Sequence, residues 1–123
     1  MTEDELQAVL EQTIPARDRY GVFVEECQDQ DVRLRFSMPI DECWSTPALL
    51  ALVDTSLRAA AGVGAAVTHL TVTMIRPAAR ADVLALSRVI RRDRGTIYAE
   101  TWLFSHAVVE PMLHATASLG ADP

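Results

Sequence analysis

Carboxylates are plentiful in this chain, but only one stands inside a long apolar stretch of helical character. Residues 45 to 64, STPALLALVDTSLRAAAGVG, carry Asp54 among leucines, valines and alanines. A carboxylate so placed can draw a proton from water as a general base or attack a carbonyl itself. An ordinary surface ion pair is the alternative, because Arg58 follows at i+4. Thr46 lies eight residues before Asp54, roughly 12 Å along a helix axis at ~1.5 Å per residue. One helix therefore cannot bring both residues to the same carbonyl. The unpaired N–H groups of a helix start are good donors toward a developing oxyanion, so an antiparallel neighbour must supply them. Pro47 has no N–H, which leaves Thr46 or Ala48 as the donor, and Thr46 serves equally as a plain N-cap.

Other residue types add less. In the strand-like segment 66 to 76, Leu70, Val72 and Met74 share a parity with Thr68, whereas His69, Thr71 and Thr73 share the other. Apolar parity faces a core, so Thr68 is expected to look toward the helix and His69 away from it. His106 and His114 are scattered on strand-like segments, and Cys27 and Cys43 have no metal-ligand spacing, so no metal is expected. Arg76, Arg80, Arg91, Arg92 and Arg94 gather around two turns in a chain that is otherwise acidic. Arginine suits phosphate groups well, although a solvated turn is the commoner setting for such a run.

These residues need elements to hold them. Residues 3 to 13 place Leu6, Val9 and Leu10 at helical spacing, with acidic residues in the first turn. Residues 20 to 26 and 31 to 38 alternate and predict an antiparallel hairpin. For the long apolar helix, Ser45 or Thr46 is the cap, Pro47 suits the first turn, and Gly62 or Gly64 ends it. Four strand-like segments follow, at 66 to 76, 82 to 92, 96 to 106 and 108 to 119. Their short connections predict antiparallel neighbours throughout. The expected architecture is α+β, one strongly curved antiparallel sheet of five or six strands packed on one long helix.

Length and charge narrow the partners. The 123 residues make a single domain, 1 to 123, with half the residues apolar. Eleven Lys and Arg against 17 Asp and Glu give a net charge of −6, the wrong sign for nucleic acid or an anionic membrane. No run reaches the ~18 apolar residues of a membrane span. The acidic start MTEDELQAVLEQ lacks the pattern of a signal peptide, and a reduced, cytoplasmic location is expected.

The segments LALVDTSLRAAAG (50 to 62) and TVTMIRPAARADVLA (71 to 85), with AETWLFS and HATASL after them, follow in an order that resembles the hotdog-fold acyl-CoA thioesterases, the group that includes small phenylacetate-pathway enzymes. The resemblance covers nearly the whole chain. It implies an antiparallel sheet wrapped around one long central helix, and a homodimer or dimer of dimers with sites at the subunit interface. It also implies hydrolysis of an acyl-CoA thioester, with coenzyme A as part of the substrate and no separate cofactor. Carried onto this chain, it implies Asp54 as base or nucleophile, a donor role for Thr46, a water-holding role for Thr68, and phosphate contacts from Arg76, Arg91 and Arg92. Phenylacetate-type relatives carry His-Gly-Gly at the helix start and an Asn upstream. This chain has Ser45, Thr46 and Pro47 at the former, and the latter falls near Pro39. The fluoroacetyl-CoA thioesterase branch is similar in another way, with Thr-Pro-Ala-Leu at the helix start and a Glu eight residues after the Thr, the spacing of Thr46 and Asp54. The alternative implied by the missing glycines is a non-catalytic acyl-CoA or acyl-carrier binding protein.

Overall fold

A computed structural model of the chain describes residues 2–13, 21–28, 31–37, 44–105 and 109–120. The elements run α1 (Glu3–Thr13), β1 (Val22–Gln28), β2 (Asp31–Phe36), α2 (Thr46–Ala61), β3 (Ala66–Met74), β4 (Val83–Asp93), β5 (Thr96–Ser105) and β6 (Pro111–Gly120). The six strands form one antiparallel sheet in the order β1-β2-β4-β5-β6-β3. The positions of Pro39, Cys43 and His106 lie outside the described residues.

One face of the sheet carries the core. Val32, Leu34 and Phe36, then Val83, Ala85 and Val89, then Ile97, Ala99 and Leu103 are buried at alternate positions, the period a half-buried strand demands. α2 packs across this face, chiefly on β4 and β5, burying Leu49, Leu52, Val53 and Leu57. Its start and stop follow local chemistry. The Ala48 N–H donates to Ser45 Oγ (3.3 Å), Pro47 occupies the first turn, and the Gly62 N–H donates to the Arg58 carbonyl (2.8 Å) at φ +130°, where glycine is favoured. Two hydroxyls within the core satisfy each other, Ser87 Oγ and Thr101 Oγ1 at 2.9 Å.

The short β3–β4 connection does not make those strands neighbours, contrary to the sequence expectation. β3 pairs with β6 at the far edge, so residues 75–82 must span the positions of β6 and β5 to reach β4. Three strand spacings amount to ~14 Å, well within the ~26 Å reach of eight extended residues. The Ile75 and Arg76 N–H groups, both donating to the Met112 carbonyl, steer the chain into this path.

The two sheet edges are treated differently. At β1, Gln7 of α1 substitutes for a further strand: its Nε2 donates to the Val22 carbonyl (2.8 Å) and its Oε1 accepts from the Val24 N–H (2.7 Å). β3 has β6 on one side and, among the described residues, no strand along the other, and seven of its nine residues are exposed. Open, flat edges of this kind are pairing surfaces.

Candidate functional site

α2 is buried around most of its circumference but leaves one stripe open, running through Pro47, Leu50, Ala51, Asp54, Thr55 and Arg58. Asp54 sits midway along it, its side chain 49% exposed in the isolated chain. Arg58, one turn on, is held from behind. Its Nε and Nη2 both donate to the Val63 carbonyl (3.0 and 2.6 Å), which leaves Nη1 3.4 Å from Asp54 Oδ2. The carboxylate thus has one oxygen steered by a fixed guanidinium and the other, Oδ1, available to a water or substrate.

Thr46 lies eight residues away at the other end of this stripe, exposed. Ser45 is the N-cap, and its side chain takes the Ala48 N–H while its carbonyl takes the Leu49 N–H. Of the two donors weighed from sequence, Ala48 is therefore occupied and the Thr46 N–H stands outside the cap. Within one chain the structure does not bring Thr46 and Asp54 together.

Thr68 is placed otherwise than its parity predicts. A β-bulge between Val67 and His69 breaks the alternation at this residue. Leu70, Val72 and Met74 keep the register of the helix-facing Ala117, Ala115 and Leu113, but Thr68 is the extra residue, exposed, with Oγ1 donating to the Ser118 carbonyl (3.0 Å). His69 lies on the outer face, exposed, 3.5 Å from Thr71 Oγ1.

The arginines fall into two separate groups. Arg76 follows β3 and forms an ion pair with Glu110, beside the β5–β6 connection. Arg91 and Arg92 sit at the opposite end of the sheet, by the β4–β5 turn, where Arg94 (φ +48°) and Gly95 (φ +83°) form a two-residue loop. Arg91 lies over the Tyr98 ring (4.7 Å), and Arg92 Nη2 donates to the Ala61 carbonyl at the C-terminus of α2 (3.3 Å). Arg76 therefore does not share a phosphate pocket with Arg91 and Arg92 inside one chain. Among the described residues no three His, Cys, Asp or Glu side chains gather as a metal site, and no helix is long and apolar enough to cross a membrane.

A polar cluster that the sequence reading missed lies on the outer face. Glu100 accepts from Arg88 Nε (2.6 Å) and meets His114 Nε2 at 2.9 Å, while the His114 ring stacks on Trp102 at 3.9 Å. Burial alone pushes the Glu100 carboxyl up. The hydrogen bonds from His114 and Arg88, with their charges, outweigh that and hold it below its ordinary value of 4.5. A carboxyl lowered on folding contributes stability above its unfolded value and loses it as pH falls toward the folded value. Wild type is therefore expected to be more stable than Glu100→Gln at pH 7, with the gap closing below about pH 4.5. Urea unfolding midpoints of both proteins across pH 3 to 7 check this, and a constant gap would contradict it. The retrievable signal was Glu100 as the only carboxylate in TIYAETWLFS, with Arg88 its cross-strand partner.

Neither protein-family models nor curated proteins match this sequence. Solved structures do match the fold. A Silicibacter sp. TM1040 protein provisionally described as a thioesterase superposes at TM-score 0.82 with 20% identity, covering 100% of this chain and 93% of that one. Zebra fish thioesterase superfamily member 2 gives 0.80 at 16% identity, covering 98% of each chain. A hypothetical thioesterase of Streptococcus pneumoniae, solved with coenzyme A, gives 0.76 at 10% identity, covering 95% of this chain and 99% of that one. The six-stranded antiparallel sheet around α2, together with these superpositions, identifies the chain as having the hotdog fold.

Proposed function

We propose that the chain is an acyl-CoA thioesterase whose site is completed by a second copy. The observation that carries this reading is Asp54, the one carboxylate of α2, held by Arg58 on the helix stripe that this chain leaves uncovered. Water attacks the thioester carbonyl as Asp54 takes its proton. The tetrahedral oxyanion is met by the Thr46 N–H of the antiparallel neighbour. The C–S bond then breaks, and the proton held by Asp54 passes to the departing coenzyme A sulfur. Thr68 remains a proposed water-holding residue, contributed across the subunit boundary from the β3 bulge. The phosphates of coenzyme A fall to Arg92, beside the C-terminal end of α2, with Arg91, which lies over Tyr98 on the other face of the sheet, reaching them only around the strand end. Arg76, at the other end of the sheet, can act on the same molecule only from the partner copy.

The second copy is expected along β3. Its open edge carries Leu70 (39% exposed) and Met74 (48%), with Ile75 (44%) just after it, and Leu50 of α2 is 38% exposed. Antiparallel pairing of two β3 strands would satisfy the edge and set the two α2 helices antiparallel. Leu70→Arg is expected to disrupt this pairing, and sedimentation that shows no loss of mass would count against it.

One observation favours the binding-protein alternative. Pro47 and the Ser45 cap leave a single N–H at the helix start, a poorer donor set than a loop of glycines offers. Free-thiol release from acyl-CoAs of graded chain length, measured beside their binding, decides between the readings. Turnover supports the enzyme, and binding without turnover supports the alternative.

A further inference from the structure

On the face of the sheet away from α2 lies a hollow of about 290 Å³, where β1, β2, β4 and β5 run side by side. That is close to the ~300 Å³ at which small-molecule pockets begin. Its floor is apolar, made by Leu86 and Trp102, which face each other across β4 and β5. Its rim is charged, with Glu26, Asp31, Arg33 and Arg88. Trp102 is fixed in place: His114 of β6 stacks on its ring at 3.9 Å, and the hollow lies on the other side, toward β4.

The strand register sets Glu26 opposite Arg33 and Asp31 opposite Arg88, two cross-strand pairs of opposite charge. Such pairs ordinarily close on each other. Neither does so here. Arg33 Nε donates to Glu25 (3.1 Å), the extra residue of the β1 bulge, and Arg88 Nε donates to Glu100 (2.6 Å) on β5. His114 meets the other oxygen of Glu100, which holds that carboxylate where Arg88 reaches it. Glu26 and Asp31, both exposed, are left with no ion-pair partner among the described residues. Arg88 commits only Nε and its side chain is 63% exposed, so both Nη groups are open to a ligand.

Two unpaired carboxylates attract an ammonium group, and the free Nη groups of an arginine suit a carboxylate. Asp31 and Arg88 stand directly opposed, ~5 Å apart between Cα atoms. A molecule that carries an ammonium and a carboxylate on neighbouring atoms answers both at once, and Leu86 and Trp102 take an apolar body beside them. A plain organic acid would face Glu26 and Asp31 with its own negative charge, and a plain amine would leave Arg88 unanswered.

We infer that this hollow binds a free α-amino acid with an apolar side chain. Glu26 and Asp31 hold the ammonium, the Nη groups of Arg88 hold the carboxylate, and the side chain lies on Leu86 and Trp102. The sheet separates this site from Asp54, because α2 packs on the opposite face. The inference goes beyond the thioesterase reading and does not depend on it.

The chain has two tryptophans, and their indole N–H signals report the test by NMR. L-phenylalanine is expected to shift the signal of Trp102 and to leave unmoved that of Trp44, which donates to the Ala81 carbonyl (2.8 Å). A Kd of ~1 mM or tighter is expected for a ligand of this size. Phenylpropionate, which lacks the ammonium, and phenethylamine, which lacks the carboxylate, are each expected to bind at least ~10-fold more weakly, the usual cost of a lost charge-assisted hydrogen bond. Asp31→Asn and Arg88→Gln are expected to weaken L-phenylalanine by the same factor. Asp31 is exposed and unpaired, so its variant is expected to keep the fold, which circular dichroism checks. Arg88→Gln also takes a donor from Glu100, and phenethylamine on the wild-type chain tests the same contact without altering the protein. No shift of the Trp102 signal with L-phenylalanine overturns the site. Binding unchanged in Asp31→Asn overturns it as well, and phenethylamine binding as tightly as L-phenylalanine overturns the assignment to an amino acid.

Discussion

Asp54→Asn is expected to lower hydrolysis of an acyl-CoA thioester at least ~100-fold, the usual cost of removing a general base, while leaving folding and the number of copies unchanged. The side chain is half exposed and, among the described residues, its one polar contact is to Arg58 at 3.4 Å, so the structural cost of the amide is small. A ~100-fold loss corresponds to ~2.7 kcal/mol of transition-state stabilisation. The loss should fall on kcat rather than KM, because the proton is taken only as the water attacks. Steady-state kinetics with free thiol as the readout decides this. A variant with wild-type kcat would return Asp54 to the status of a helix-surface ion pair.

The second large effect is on stability. Leu57 is fully buried on α2, in the same core as Leu34, Val53 and Leu103. Leu57→Ala removes buried methyl groups and leaves a cavity that a helix fixed on a sheet cannot collapse to fill. The expected loss is about 2–5 kcal/mol. In a domain of this size that lowers Tm by ~10 °C or more. Thermal and urea unfolding check this, and a loss under ~1 kcal/mol would mean that α2 is not the pillar of the core.

Much of this architecture was legible in the residues because it is written locally. Ser45 and Pro47 open α2 and Gly62 closes it. Alternation through Val83, Ala85, Ser87 and Val89 marks a strand with one buried face. What could not be read depends on register between distant segments. β3 lies against β6 rather than β4 because eight connecting residues can cross two strands, and nothing in PAAR specifies whether they do. The bulge at Thr68 hinges on one unpaired residue, which shifts a parity argument without changing composition. The Arg88, Glu100 and His114 cluster is assembled from three strands, so its members are adjacent only once the sheet is aligned. Asp54 stood out because an apolar helix makes a single carboxylate conspicuous, whereas no local mark says which residue a second copy would bring to it.

A site shared between subunits can be tested by mixing two defective chains. Thr46→Pro removes the helix-start N–H yet suits a first helical turn, and Asp54→Asn removes the carboxylate. Each variant alone is expected to be nearly inactive on acyl-CoA. Unfolded and refolded together in equal amounts, they are expected to recover about a quarter of wild-type activity, since half of the β3-paired dimers are mixed and one of two sites in each is intact. Activity no greater than the sum of the separate variants would contradict a site built from Asp54 of one copy and the helix start of its partner.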